Sequence, residues 1–209
     1  AESYEKKPLN GPHGLVYRSD GTLYFTDPRS GMPKWFNPPQ PDLPYSGVYS
    51  LYKGKLQLVS KDLTMPFGIA LSPDEKYLYV IDHARKIVMR YEANADGTLS
   101  NGKVFFDMTS LPGREHPCGI AVDQQGNLYI AGPGGVPVIS SEGKHLGTIF
   151  TFSRALIAYD RDAPNKPRDF AWGDPDYKSL YMSTADGLYR MRLGIPGVRP
   201  GRPRLINRP

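Results

Sequence analysis

Four times along the chain a proline is followed by one variable residue, a small or polar residue, and an apolar run. The copies read Pro12-His13-Gly14-Leu15-Val16, Pro66-Phe67-Gly68-Ile69-Ala70, Pro117-Cys118-Gly119-Ile120-Ala121 and Pro167-Arg168-Asp169-Phe170-Ala171. Each passes through a polar turn into a Leu-Tyr pair: Leu23-Tyr24, Leu78-Tyr79, Leu128-Tyr129 and Leu180-Tyr181. The variable residues 13, 67, 118 and 168 are spaced by 54, 51 and 50. A period of about 50 residues containing several short strands is the signature of propeller blades. The expected fold is therefore all-β, a propeller with about four four-stranded blades in one domain over residues 1–209. In the second unit the strands are expected at Ile69–Leu71, Tyr77–Asp82, Ile87–Glu92 and Lys103–Asp107. Only Phe152–Tyr159 offers a short helical pattern.

Composition narrows the function classes. The net charge of +5 could suggest a nucleic-acid partner. Much of the excess, however, lies in the C-terminal arginines Arg190, Arg192, Arg199, Arg202, Arg204 and Arg208, interleaved with Gly and Pro. There is no aromatic–basic platform for single strands and no recognition helix, so nucleic acid is not the expected partner. No run of about 18 apolar residues exists, so no helical membrane span is expected either. The single Cys118 excludes an internal disulfide and leaves both a cytoplasmic and a periplasmic or secreted setting open. The chain starts at Ala1 rather than Met, which leads us to expect a processed or trimmed N-terminus.

In a propeller the innermost strand of each blade lines the axis, so equivalent positions in successive blades converge at one mouth. His13, Phe67, Cys118 and Arg168 are therefore expected to form part of a ring around a cavity, the default location for a small-molecule site. Two segments interrupt the repeat there. Arg29–Pro44 is rich in proline and carries Trp35 and Phe36, and Phe150–Pro167 is longer than a simple connection; both are candidates for shaping access.

These same residues carry a family resemblance over nearly the whole chain. Leu9-Asn10-Gly11-Pro12 with Asp20-Gly21-Thr22-Leu23-Tyr24-Phe25-Thr26-Asp27-Pro28, the run Ala70–Val80, and Val122–Tyr129 followed by Gly132-Pro133-Gly134-Gly135-Val136 resemble the gluconolactonase / senescence-marker-protein / luciferin-regenerating-enzyme family. Phe170-Ala171-Trp172-Gly173 with Leu180–Thr184 adds to the likeness. The resemblance implies a six-bladed propeller, of which this sequence begins where the third blade is about to start. It also implies a metal-dependent lactone hydrolase whose axial divalent cation, often calcium, polarises the lactone carbonyl. The family's ligand set is substituted here. The Asn-Asp pair falls on His13-Gly14, the Pro-Asn-Gly asparagine on Phe67, and the Asp-Gly aspartate on Cys118, while the segment carrying the first-blade Glu has no counterpart.

What remains is a different donor set. His13 and Cys118 are the candidate catalytic pair, an imidazole that could activate a thiol to open a lactone or ester, with Phe67, His116, Arg168 and Asp169 contacting substrate. His13, His116, Cys118 and Asp169 include donors suited to zinc, though not at tight ligand spacing. Asp27, Asp82 and Asp169 are the available carboxylates, and Asp27 and Asp82 are expected to bond to blade turns instead. The expectation is thus a hydrolase of a small lactone or ester acting in the axial cavity without the family's calcium site. The alternative is a catalytically silent or small-molecule-binding relative. An incomplete ring leaves sheet faces bare, so a second chain or a homo-oligomer is expected to cover them.

Overall fold

The structure, a computed structural model, describes residues 2–29, 43–150, 166–185 and 187–199. A short hairpin, β1 (Ser3–Tyr4) and β2 (Lys7–Pro8), precedes four antiparallel sheets in chain order. The first blade is β3 (Leu15–Tyr17), β4 (Leu23–Asp27), β5 (Gly47–Tyr52) and β6 (Lys55–Ser60). The second is β7 (Pro66–Leu71), β8 (Tyr77–Asp82), β9 (Ile87–Ala93) and β10 (Leu99–Asp107). The third is β11 (Ile120–Val122), β12 (Leu128–Ile130), β13 (Val136–Ile139) and β14 (His145–Ile149). The fourth holds β15 (Asp169–Gly173), β16 (Ser179–Ser183) and β17 (Leu188–Arg192). Every blade is an up-and-down meander, and the first strands of successive blades touch in turn, β3 on β7, β7 on β11 and β11 on β15. This is the propeller arrangement, with no helix among the described residues.

Blades stack because their central strands are apolar on both faces. In β8, Leu78 and Val80 pack with Tyr24 and Val48 of the first blade, while Tyr79 and Ile81 pack with Ile120, Leu128 and Ile130 of the third. Alternation of side chains along a strand assigns each residue to one of the two interfaces. The third and fourth blades meet through Ala121, Tyr129, Leu180 and Met182, with Trp172 edge-on to Tyr129 at 5.4 Å. The outer face of the first blade carries Phe25, Leu43 and Tyr49, with Tyr4 and Leu9 of the N-terminal segment packed on it.

In the third and fourth blades an aspartate of the turn holds the tyrosine of the Leu-Tyr pair. In the third blade Asp123 accepts from the backbone N–H of Gln125 and Asn127, both at 2.9 Å, and from the Tyr129 hydroxyl at 3.1 Å. In the fourth, Asp174 accepts from the Tyr181 hydroxyl at 2.9 Å. In the third blade this carboxylate anchors the tyrosine that packs against the fourth.

Among the described residues the fourth blade has three strands. Beyond β17 the described chain crosses back to the third blade: Gln124 N–H donates to Pro196 O at 2.9 Å and Val198 N–H to Val122 O at 3.0 Å. These bonds direct the segment away from the outer edge of β17. Most of Arg29–Pro44, with Trp35 and Phe36, lies outside the described residues, as does most of Phe150–Pro167 with its short helical candidate. Among the described residues no helix is long and apolar enough to cross a membrane.

Candidate functional site

The close approach of the inner strands depends on the glycine that follows each variable residue. A Cβ on Gly14 would lie 2.6 Å from Phe67 O, one on Gly68 2.4 Å from Cys118 O, and one on Gly119 2.8 Å from Arg168 O. Each glycine thus makes room for the carbonyl of the next blade's variable residue, which brings the four positions to one mouth. Thr26 bolts the first pair together: its hydroxyl donates to Phe67 O at 2.8 Å and accepts from Gly14 N–H at 2.9 Å. The fourth repeat has Asp169 where the others have glycine.

At that mouth lies a continuous stack of rings. His13 lies on Phe67 with centroids 4.1 Å apart and planes 11° apart. The other neighbour of Phe67 is His83, at 4.3 Å, and His83 in turn lies 5.0 Å from His116. His83 is the member that the sequence reading missed. It follows β8 directly, and its N–H bonds to Met65 O at 2.9 Å, so the antiparallel return of β8 delivers it beside Phe67. The end of each blade's second strand lies at the same mouth as the start of its first, and that was the signal available.

His83, not His13, meets the cysteine: Sγ of Cys118 lies 3.6 Å from His83 Nδ1. The expected partner His13 stacks on Phe67, which also contacts His83. The hydrogen positions are then constrained. His83 Nδ1 is 2.9 Å from Pro117 O and His116 Nδ1 is 2.8 Å from His83 O. A carbonyl only accepts, so both Nδ1 atoms carry their hydrogens, and Nε2 is the basic nitrogen of each neutral ring. The Cys118 thiol cannot give its proton to the nitrogen it touches; it reaches His116 O at 3.7 Å instead.

Burial sets the protonation. It lowers the pKa of His83, against an opposing hydrogen bond to Pro117, and the nearby His116 and His13 lower it further. Burial also lowers the pKa of His13, partly offset by the Asp169 charge. For Cys118 burial raises the pKa, with Arg168 pulling the other way. Burial therefore favours the neutral imidazoles of His13 and His83 and the protonated thiol of Cys118.

A cavity of about 290 Å³ opens beside the stack. His83, His116, Cys118 and Arg168 line it, together with Arg114, Glu115, Lys166 and the backbone around Gly132 and Gly135. His13, Phe67 and Asp169 do not. The cavity is walled by the third and fourth blades with His83, so it is not centred on the ring that the repeats predict. Asp27 and Asp82 are occupied as expected. Asp27 accepts from the N–H groups of Asn10 and Gly11, and Asp82 from those of Thr64, Met65 and Arg85.

Residues 1–186 match the family described as the SMP-30/Gluconolactonase/LRE-like region. The chain belongs to this family. Over 158 residues it is 35% identical to a gluconolactonase of Zymomonas mobilis, covering 71% of this chain and 44% of the relative. It is 30% identical over 145 residues to the lactonase drp35 of Staphylococcus aureus strain MRSA252, covering 67% and 42%. The chain thus spans about half the length of the curated relatives it matches. Among solved structures it superposes on a gluconolactonase of Xanthomonas campestris with a TM-score of 0.75 at 28% identity, covering 94% of this chain and 60% of that one. Regucalcin of Agrobacterium tumefaciens, a calcium-binding protein, shares the fold with a TM-score of 0.68 at 21% identity, covering 92% and 63%.

The side chains that follow the first three repeat prolines are not oxygen donors. Calcium takes roughly six to eight oxygen ligands. Here His13, Phe67 and Cys118 offer an imidazole, a phenyl ring and a thiol, and the Phe67 ring is held between two imidazoles. For the expected zinc donors His13, His116, Cys118 and Asp169, no group of three His, Cys, Asp or Glu among the described residues is arranged to hold a metal.

Proposed function

We propose that this family member hydrolyses a small lactone or ester in the cavity between its third and fourth blades, by general-base catalysis that does not use the family's calcium site. The observation that carries the reading is His83. Its Nδ1–H is pinned by Pro117 O, its faces are held by Phe67 and His116, and burial keeps the ring neutral. That combination supports Nε2 as the base, with His83 lining a cavity large enough for a small ring.

In the proposed reaction Nε2 of His83 takes a proton from water as the oxygen attacks the carbonyl carbon. The imidazolium then returns that proton to the departing ring or ester oxygen as the C–O bond breaks, giving the acid and a hydroxyl group. Negative charge on the carbonyl oxygen develops inside a wall that carries Arg114, Lys166 and Arg168. Cys118 and His116 border the reacting groups, Arg168 contacts substrate, and His13 and Asp169 support the stack from outside the cavity. A thiol route through Cys118 is less well supported, because the nitrogen facing the thiol already carries a hydrogen. Replacing His83 with Gln should abolish turnover, whereas Cys118→Ser should not.

The second reading is a small-molecule-binding relative without turnover, favoured by the Phe67 ring where the family carries a polar ligand. Leu15 on the first blade and Leu188 on the fourth are 64% and 71% exposed. We propose that a second chain covers these faces, which a concentration series by analytical ultracentrifugation tests: a single monomeric species throughout would refute it.

A further inference from the structure

We propose that Asn101 is a site of spontaneous deamidation on the outer strand of the second blade, where water converts it to a mixture of aspartate and isoaspartate. The reaction needs an asparagine followed by a residue whose backbone nitrogen is uncrowded, and glycine, with no Cβ, crowds it least. The chain holds two such pairs, Asn10-Gly11 and Asn101-Gly102. The fold treats them in opposite ways.

Asn101 and Gly102 form a bulge in β10. The register with β9 runs from Ser100 opposite Glu92 to Lys103 opposite Arg90, so two residues stand against Tyr91. The bulge favours both residue types. Asn101 has a φ of 52°, in the left-handed region that asparagine enters more readily than most residues. A Cβ on Gly102 would lie 2.4 Å from the Tyr91 ring, so glycine is what lets the strand pass. Both residues are exposed, and the Asn101 amide Nδ2 donates to Glu92 Oε2 at 2.8 Å. Asn10, by contrast, is buried, and its Nδ2 donates to Asp27 Oδ2 at 3.2 Å and to Tyr45 O at 3.0 Å. The nitrogen that would attack it is tied as well, since Gly11 N–H donates to Asp27 Oδ1 at 2.7 Å.

In the reaction the Gly102 nitrogen attacks Cγ of Asn101 and a C–N bond forms. The side-chain nitrogen leaves as ammonia, carrying the proton that the glycine nitrogen gives up. Water then opens the resulting succinimide at either carbonyl, so the net change is one amide replaced by one carboxylate. The new carboxylate stands where the amide donated to Glu92, which turns an attractive contact into a repulsive one. Opening to isoaspartate also adds one carbon to the main chain at the bulge. No residue of β10 lines the cavity, so the proposal is independent of the hydrolase reading.

Peptide mapping by mass spectrometry tests it, on the folded protein held in mildly alkaline buffer beside the same protein unfolded in guanidinium. In the unfolded chain both asparagines should convert at similar rates. In the folded protein the Asn101 peptide should gain the mass of one amide-to-acid exchange and divide into aspartate and isoaspartate forms. Asn10 should convert at least about tenfold more slowly than Asn101, because local opening must come first. Asn101→Gln should remove the conversion at 101 and leave Asn10 unchanged. Equal rates at the two asparagines in the folded protein, or an Asn101 that converts only on unfolding, overturns the proposal.

Discussion

Cys118 Sγ lies 3.6 Å from Nδ1 of His83, a nitrogen whose hydrogen is directed at the carbonyl of Pro117, 2.9 Å away. A cysteine beside a histidine is usually read as an activated nucleophile, because the imidazole accepts the thiol proton. Here the facing nitrogen is a donor, and burial pushes the thiol pKa up. The pair is better described as a thiol packed against the back of a base.

Cys118 should therefore react slowly. At pH 7.5 its alkylation by iodoacetamide should be at least about tenfold slower than that of the same protein unfolded in guanidinium, since the thiolate is the reactive form. Cys118→Ser should retain kcat/KM within about threefold. Alkylation faster in the folded protein, together with loss of activity on substitution, would restore the thiol route.

Stability should fall on mild acidification. His13 and His83 both have folded pKa values below the ordinary imidazole value of about 6.5. The unfolded chain then binds more protons than the folded one as pH drops below that value. Stability from these groups is fully present above pH 6.5 or so and declines toward their lowered folded values. Urea unfolding between pH 8 and pH 5 should show this decline, and His83→Gln should reduce its slope. A wild-type slope that His83→Gln leaves unchanged would contradict the assigned protonation.

The inner-strand glycines should tolerate no side chain. In Gly68→Ala the new methyl would meet Cys118 O at 2.4 Å and the side chains of Ile120 and Ile81 at 3.1 Å. A backbone carbonyl cannot swing aside as a flexible side chain can, so about 1–3 kcal/mol of destabilisation is expected, of the size seen for overpacked cores. Denaturant unfolding measures it directly, and an unchanged midpoint would mean that the blades do not approach as described.

The repeats made the scaffold legible before any coordinates. Proline, variable residue and glycine recur because each inner strand must start close to the next, and the contacts of Gly14, Gly68 and Gly119 show why. The blade-turn role of Asp27 and Asp82 was legible too, and both accept from backbone N–H groups. The chemistry was legible only in part. His116, Cys118 and Arg168 do line one cavity, but His13 and Phe67 stand outside it. His83 escaped because it is 35 residues from Cys118 and ends a second strand rather than starting a first. Arg114, Glu115 and Lys166 escaped because loops flanking two different blades converge only on packing. Among the described residues the fourth blade has three strands, and the chain after β17 finds partners on the third.

The most direct test of the account is lactone hydrolysis by the wild-type protein and by His83→Gln, each with and without EDTA. Wild-type turnover should be indifferent to EDTA, and His83→Gln should lower kcat by about a hundredfold or more, as expected for loss of a general base. Activity abolished by EDTA and spared by His83→Gln would contradict the account and return the reaction to a metal ion.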